Sequence, residues 1–209
     1  MHKAVSFAVG LSALLIAQAA HASVIFDNGG PNQVDGNEMT EWIQTDNFML
    51  AASDTITSAT FWDLESAGAY QGSITWIIYA DNAGIPGTQL ATGSATLTQV
   101  ATGNSFEGLT EYQDTFALSF AALGSTTYWL GLHNGPLTTT DRDGMYWETT
   151  ATGNAPTGEE FDLQSGGPWN NNGNEHAFNL SDGASAPEPG TILLIGCGLT
   201  GLALVRRRA

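Results

Sequence analysis

Between Val24 and Asp182 the chain runs in short stretches of β-branched and aromatic residues alternating with polar ones, separated by clusters of Gly, Asn and Asp. The clearest is "GSITWIIYADNAGIPG". Successive side chains of a strand point to opposite faces, so Ile74, Trp76 and Ile78 share one face and Thr75, Ile77 and Tyr79 the other. Asp81, Asn82, Gly84, Pro86 and Gly87 then supply turn chemistry. "DTITSATFWDL", "QLATGSATLTQV", "YQDTFALSF", "STTYWLGLHNG", "GMYWETT" and "EHAFNL" read the same way. In the first, Ile56, Thr60, Trp62 and Leu64 are expected on one face; in "TTYWLGLH", Tyr128, Leu130 and Leu132 are. "VIFDNG" and "EWIQTDNFML" add two strands near the start. No stretch of the body sustains apolar residues at i, i+3, i+4, i+7, so long amphipathic helices are not expected. Roughly seven to ten short strands with frequent turns predict an all-β fold, a single antiparallel β-sandwich or jelly-roll-like domain. No internal repeat suggests a propeller or solenoid.

The pattern changes at both ends. "MHKAVSFAVGLSALLIAQAAHAS" has a basic start at Lys3, an apolar stretch from Ala4 to Ala17, and small residues Ala20 and Ala22 flanking His21. This is the layout of a secretory signal helix, with cleavage expected between Ala22 and Ser23. "NLSDGASAPEPG" is small, polar and proline-containing, a spacer after the last strand. Thr191 to Val205 is an apolar stretch of 15 residues, shorter than the ~20 of a usual spanning helix. Arg206, Arg207 and Arg208 follow it, and clustered arginines stay on the cytoplasmic side. With the N-terminal signal, that predicts one topology: the body outside and the arginines inside, held by a short C-terminal transmembrane helix. The expected organisation is a signal peptide (1–22), a sandwich domain (23–182), a spacer (183–186) and a sorting and anchor segment (187–209).

Pro187, Glu188 and Pro189, then a glycine-interrupted apolar helix, then terminal arginines, resemble the PEP-CTERM sorting signal of bacterial exported proteins, a tail type that also carries an ice-binding C-terminal-domain label. The resemblance covers Ala186 to Ala209. It implies processing by an exosortase near the Pro-Glu-Pro, a Gram-negative envelope, transient inner-membrane anchoring, and association with exopolysaccharide or biofilm matrix. Pro187, Glu188 and Pro189 are then recognition residues of a substrate and confer no catalytic role. The prolines keep the segment extended, which suits presentation to an enzyme.

Charge narrows the partners. Of 21 acidic residues only Glu188 lies outside Ser23–Ala186, and of five basic residues only Arg142 lies inside it. The body is thus more acidic than the chain's formal net charge of −16. Such a surface repels nucleic acid and anionic lipid, and acidic polysaccharides unless divalent cations bridge the two. Neutral glycans, cations and matrix proteins remain. The lone Cys197 lies in the tail, so the exported body has no internal disulfide despite its oxidising destination.

Candidate chemistry is sparse. "TTTDRDGMYWET" contains Asp141, Asp143 and Gly144, but an EF-hand register puts Thr139 and Thr150 where carboxylates are needed. Asp27, Asp141 and Asp143, at strand ends beside Gly or Asn, are the candidates for a structural Ca²⁺ site built from distant loops; the alternative is that they form turns and aid solubility. No other cofactor is expected. His133 and His176 sit in no recognisable catalytic arrangement: there is no G-x-S-x-G elbow and no H-E-x-x-H motif. With this many acids, paired carboxylates do not identify a glycosidase. Threonines are scattered among turns rather than ranked as an ice face requires. Trp76 and Trp129 read as strand-face or core residues. Trp169, in "SGGPWNNNGNEH", sits among loop residues and either stacks on a neutral glycan or plugs one end of the sandwich, with Trp147 as a second candidate for stacking. The expectation is a non-enzymatic surface or matrix protein, with a glycan-binding module as the alternative and a glycoside hydrolase or lyase behind it.

Overall fold

The computed structural model describes residues 22–153 and 155–183. Ala22–Gly183 is one compact unit. The expected signal helix and the anchor helix lie outside the described residues. Among the described residues there are thirteen strands and no helix. They are β1 (Val24–Asp27), β2 (Pro31–Glu38), β3 (Trp42–Met49), β4 (Asp54–Glu65), β5 (Ile74–Asp81), β6 (Pro86–Ala95), β7 (Thr98–Phe106), β8 (Leu109–Ala122), β9 (Thr127–Asn134), β10 (Met145–Thr150), β11 (Glu159–Asp162), β12 (Asn170–Asn171) and β13 (Phe178–Asp182).

Every strand pairing is antiparallel. The first sheet is organised around β4, which pairs along its whole length with β8, and β8 in turn with β7. The other edge of β4 is shared by β13, against Ile56–Phe61, and β10, against Asp63–Glu65. Beyond these lie β1 and β2. The second sheet runs β12-β11-β3-β9-β5-β6.

One apolar core joins the two sheets in a sandwich-like arrangement. Ile74, Trp76, Ile78, Tyr128, Leu130 and Leu132 come from the second sheet, as the alternation predicts, and meet Phe61, Phe116, Trp147 and Phe178 of the first. Ile56 departs from its expected face. The register shifts between Ile56 and Ser58 against both neighbouring strands. Such a bulge turns the strand by one side, so Ile56 joins Ala59 and Phe61 in the core, while Thr60, Trp62 and Leu64 alternate onto the opposite face.

The second sheet is buried on both sides. On its outer face Ile43, Ile77, Tyr79 and Trp129 form a separate cluster beneath Phe161, Leu163 and Trp169. Tyr79 belongs there because it alternates with the core residue Ile78. β11 pairs with β3, placing Phe161 opposite Ile43, and the following loop supplies Leu163 and Trp169.

Candidate functional site

A buried polar arrangement within the body lies where β3 meets the approach to β13. Asp46 shares the inward face of β3 with Phe48, since the two are two positions apart in the strand. Asp46 and His176 are fully buried. His176 donates its backbone N–H to Asp46 Oδ2 at 2.6 Å, and its Nδ1 lies 3.3 Å from the same oxygen. Asn28 Nδ2 donates to that oxygen at 3.3 Å, and the Asn47 amide to Oδ1 at 2.7 Å. His176 Nε2 lies 3.1 Å from Asn37 Oδ1, while the imidazole stacks on Trp147 at 4.6 Å. Burial pushes the Asp46 carboxyl above its ordinary range despite the opposing contacts from His176. Only glycine fits at position 158, where a Cβ would stand 2.6 Å from the Thr45 carbonyl oxygen and 2.8 Å from His176 Cε1. Both ring nitrogens are engaged and the ring has no exposed surface. The pair therefore pins β3 to the β13 approach and presents no atom to a substrate. His133 is equally buried, with Nδ1 3.1 Å from the Gly135 carbonyl and Nε2 2.8 Å from that of Thr40.

Around Trp42 an open groove of about 360 Å³ is lined by Asn37, Glu41, Trp42, Gln44, Arg142 and Glu160, among others. Trp42 is half-buried. Gln44 Nε2 donates to the Glu38 carbonyl at 2.9 Å and to Glu160 Oε2 at 3.3 Å, which holds those side chains in place. Arg142 lies over the Tyr146 ring, 5.8 Å from its centroid. A tryptophan beside amides, carboxylates and a guanidinium combines a flat apolar surface with oriented polar groups.

The residues singled out from sequence are dispersed. Trp147 has no exposed surface. Its Nε1 donates to the Ala177 carbonyl at 3.1 Å, and its ring packs against Phe61 and Phe178. It cannot stack on a sugar: paired with Asp63 of β4, it occupies the inward face of β10. Trp169 is half-buried, 5.3 Å from Tyr79 and 5.3 Å from Phe161, and covers the outer face of the second sheet rather than one end of the sandwich.

Asp27 and Asp143 do not share a site. Asp27 Oδ1 accepts the Gly29 amide at 2.9 Å, and the next residue bonds to Thr152, beyond the end of β10. Asp143 precedes the start of β10, accepts a bond from Gln71 Nε2, and donates its amide to Glu38 Oε1 at 3.3 Å. The six residues of β10, at roughly 3.3 Å each, separate the two ends, too far for one ion. Asp141, exposed in the loop before β10, falls on the Asp143 side. Among the described residues no group of three or more His, Cys, Asp or Glu side chains is arranged to hold a metal ion.

Ala22 and Ser23 mark the start of the described body. The Ser23 amide donates to Asp182 Oδ1 at 2.8 Å, and the Asp182 amide to the Ser23 carbonyl at 3.0 Å. The chain therefore enters and leaves the domain at one place. Residues 185–208 match the family model of the PEP-CTERM protein-sorting motif.

The chain carries a PEP-CTERM sorting motif. The match includes Pro187, Glu188 and Pro189 as well as Arg206, Arg207 and Arg208, all outside the described residues. The PEP-CTERM motif implies an exported protein with an exosortase as its processing partner. No curated protein and no solved structure matches the chain. Among the described residues no helix is long and apolar enough to cross a membrane.

Proposed function

We propose that this chain is a non-enzymatic exported protein of the cell surface or extracellular matrix, associated with exopolysaccharide or biofilm after release from a transient membrane anchor. The observation that carries the reading is the PEP-CTERM motif at residues 185–208, next to an acidic β-domain whose buried histidines offer no reactive atom. The anchor is Thr191–Val205, oriented by Arg206, Arg207 and Arg208. The test is deletion of Pro187–Ala209, followed by envelope fractionation and intact-mass measurement of the mature protein. Loss of processing and of envelope association is expected; unchanged maturation would defeat the reading.

The groove at Trp42 favours a second reading, a binding module for a neutral glycan. Anionic polysaccharides would be repelled by Glu41 and Glu160 at its walls. Trp42→Ala should abolish retention on a neutral-glycan array while leaving the fold intact, and an array without any hits would dismiss this reading.

A further inference from the structure

The first sheet buries two pairs of carboxyl groups, one on each face. Asp63, Asp114 and Glu148 have no exposed surface, and Glu111 is 1% exposed. Asp63 lies opposite Trp147, and Asp114 opposite Phe61, so both face the core. They are diagonal neighbours on β4 and β8, and their carboxyl groups are within hydrogen-bond reach of each other. No donor reaches either oxygen of Asp63 or Oδ1 of Asp114. Asp114 Oδ2 accepts from Gln99 Nε2 at 3.3 Å, and that amide also serves Glu65 Oε2 at 3.0 Å. On the outer face, Glu148 and Glu111 likewise meet carboxyl to carboxyl. Glu148 Oε1 accepts the Gln33 amide and Glu111 Oε1 accepts Asn104 Nδ2, but neither Oε2 has a donor.

Among the described residues the surroundings supply no countercharge. Asp63 and Asp114 face Glu65 on β4, Glu148 acts on Asp63 from β10, and Tyr70 stands close to Glu65 and Asp114. Asp35 and Glu107 line the outer groove beside Leu64 and Tyr146. Arg142, the body's single basic side chain apart from histidine, rests on Tyr146, and the one ion pair among the described residues is that of His176 with Asp46. Two ionised carboxylates in contact inside a protein repel strongly, whereas one proton between them removes the repulsion and makes a short charge-assisted bond.

We propose that two protons are structural parts of this domain, one shared by Asp63 and Asp114 and the other by Glu111 and Glu148, so that the fold tightens in acid and loosens in alkali. Burial, with the repulsion of neighbouring carboxylates (Asp114 and Glu65 on Asp63, Glu65 on Asp114, Glu111 on Glu148), raises Asp63 well above the carboxylate range, Asp114 to about 7 and Glu148 to about 8. Because the folded state holds these protons more tightly than the unfolded chain, the stabilisation is complete below about pH 4 and disappears as the pH rises through about 7 and about 8.

The test is thermal unfolding of the full-length protein in non-ionic detergent with a chelator, from about pH 5 to about pH 9. The midpoint should fall by roughly 10 °C across that range. Asp63→Asn with Glu148→Gln should flatten the profile and exceed the native midpoint at the alkaline end, since an amide donates the same hydrogen bond without titrating. A flat native profile, or a variant with the native slope, would overturn the proposal. So would an alkaline midpoint restored by millimolar calcium in the native protein but not in the variant, which would assign the pairs to a divalent cation. Should the double variant not fold, the infrared carbonyl band of protonated carboxyl groups in the native protein decides: it should be present near pH 6 and gone near pH 9, and its absence at both would end the idea.

Discussion

Each sheet of the domain buries side chains on both of its faces, but beyond the shared apolar core the two use different materials. The second sheet hides Ile43, Ile77, Tyr79 and Trp129 beneath Phe161, Leu163 and Trp169 on its outside. The first hides Asp63 and Asp114 inside and Glu111 and Glu148 outside. Apolar burial stabilises in proportion to the area removed from water and is indifferent to pH. Carboxyl burial holds only while the groups are neutral or compensated. The second sheet's outer cluster therefore contributes stability that is constant with pH, whereas the carboxyl pairs of the first contribute stability that depends on it.

The largest test of that contrast is Trp129→Ala. Trp129 is fully buried and its Nε1 donates to Asp81 Oδ1 at 3.0 Å, so the loss should be about 3–5 kcal/mol, read by denaturant unfolding and equal at acid and alkaline pH. Gly158→Ala comes next, at roughly 1–3 kcal/mol, because the added methyl collides with Thr45 and His176. A calorimetric scan should show a lowered midpoint, and an unchanged one would show that the Asp46–His176 junction gives way easily. Trp169→Ala should cost about 1–2 kcal/mol, since the ring is half-buried, and should leave any glycan retention intact. Loss of glycan binding in that variant would move the binding surface away from Trp42. The smallest effect is expected for Asp162→Asn. Its carboxylate accepts the Gln164 and Ser165 amides, and these bonds hold it below the ordinary range. Its contribution is present at neutral pH and lost as the pH falls, opposite in sign to that of Asp114, and thermal scans should separate the variant from the native protein only above acid pH.

The second sheet was largely legible in the sequence. Alternation in "SITWIIYA" and "TTYWLGLH" places β5 and β9, and their aromatic side chains fall on the faces where they are found. The first sheet was less so. Its β2 (PNQVDGNE) carries almost no large apolar residues and forms through backbone pairing to a neighbour, and the same is true of β11 (EEFD) and β12 (NN) at the edge of the second sheet. The bulge near Ser58 breaks the alternation that would have placed Ile56. Acids read as surface residues by default, so the buried carboxyl pairs escaped notice, although Asp63 in "TFWDLE" does alternate with Phe61. Trp147 and Trp169 differ for a related reason: strand position buried the first, and a loop with no periodicity left the second to be placed by the outer cluster it covers. The PEP-CTERM motif was legible in full because it is read as a linear sequence.

Arg142 has a practical corollary. Between Ser23 and Ala186 there is no lysine and no other arginine, so trypsin has one cutting place in that stretch, in the loop before β10, where the guanidinium rests on Tyr146. The two fragments would remain interleaved, because β10 and β13 belong to one sheet and β11 and β12 to the other. A nicked domain should therefore run as a single species in native conditions and as two pieces only once unfolded, and amine-reactive labels should mark each piece at its N-terminus alone.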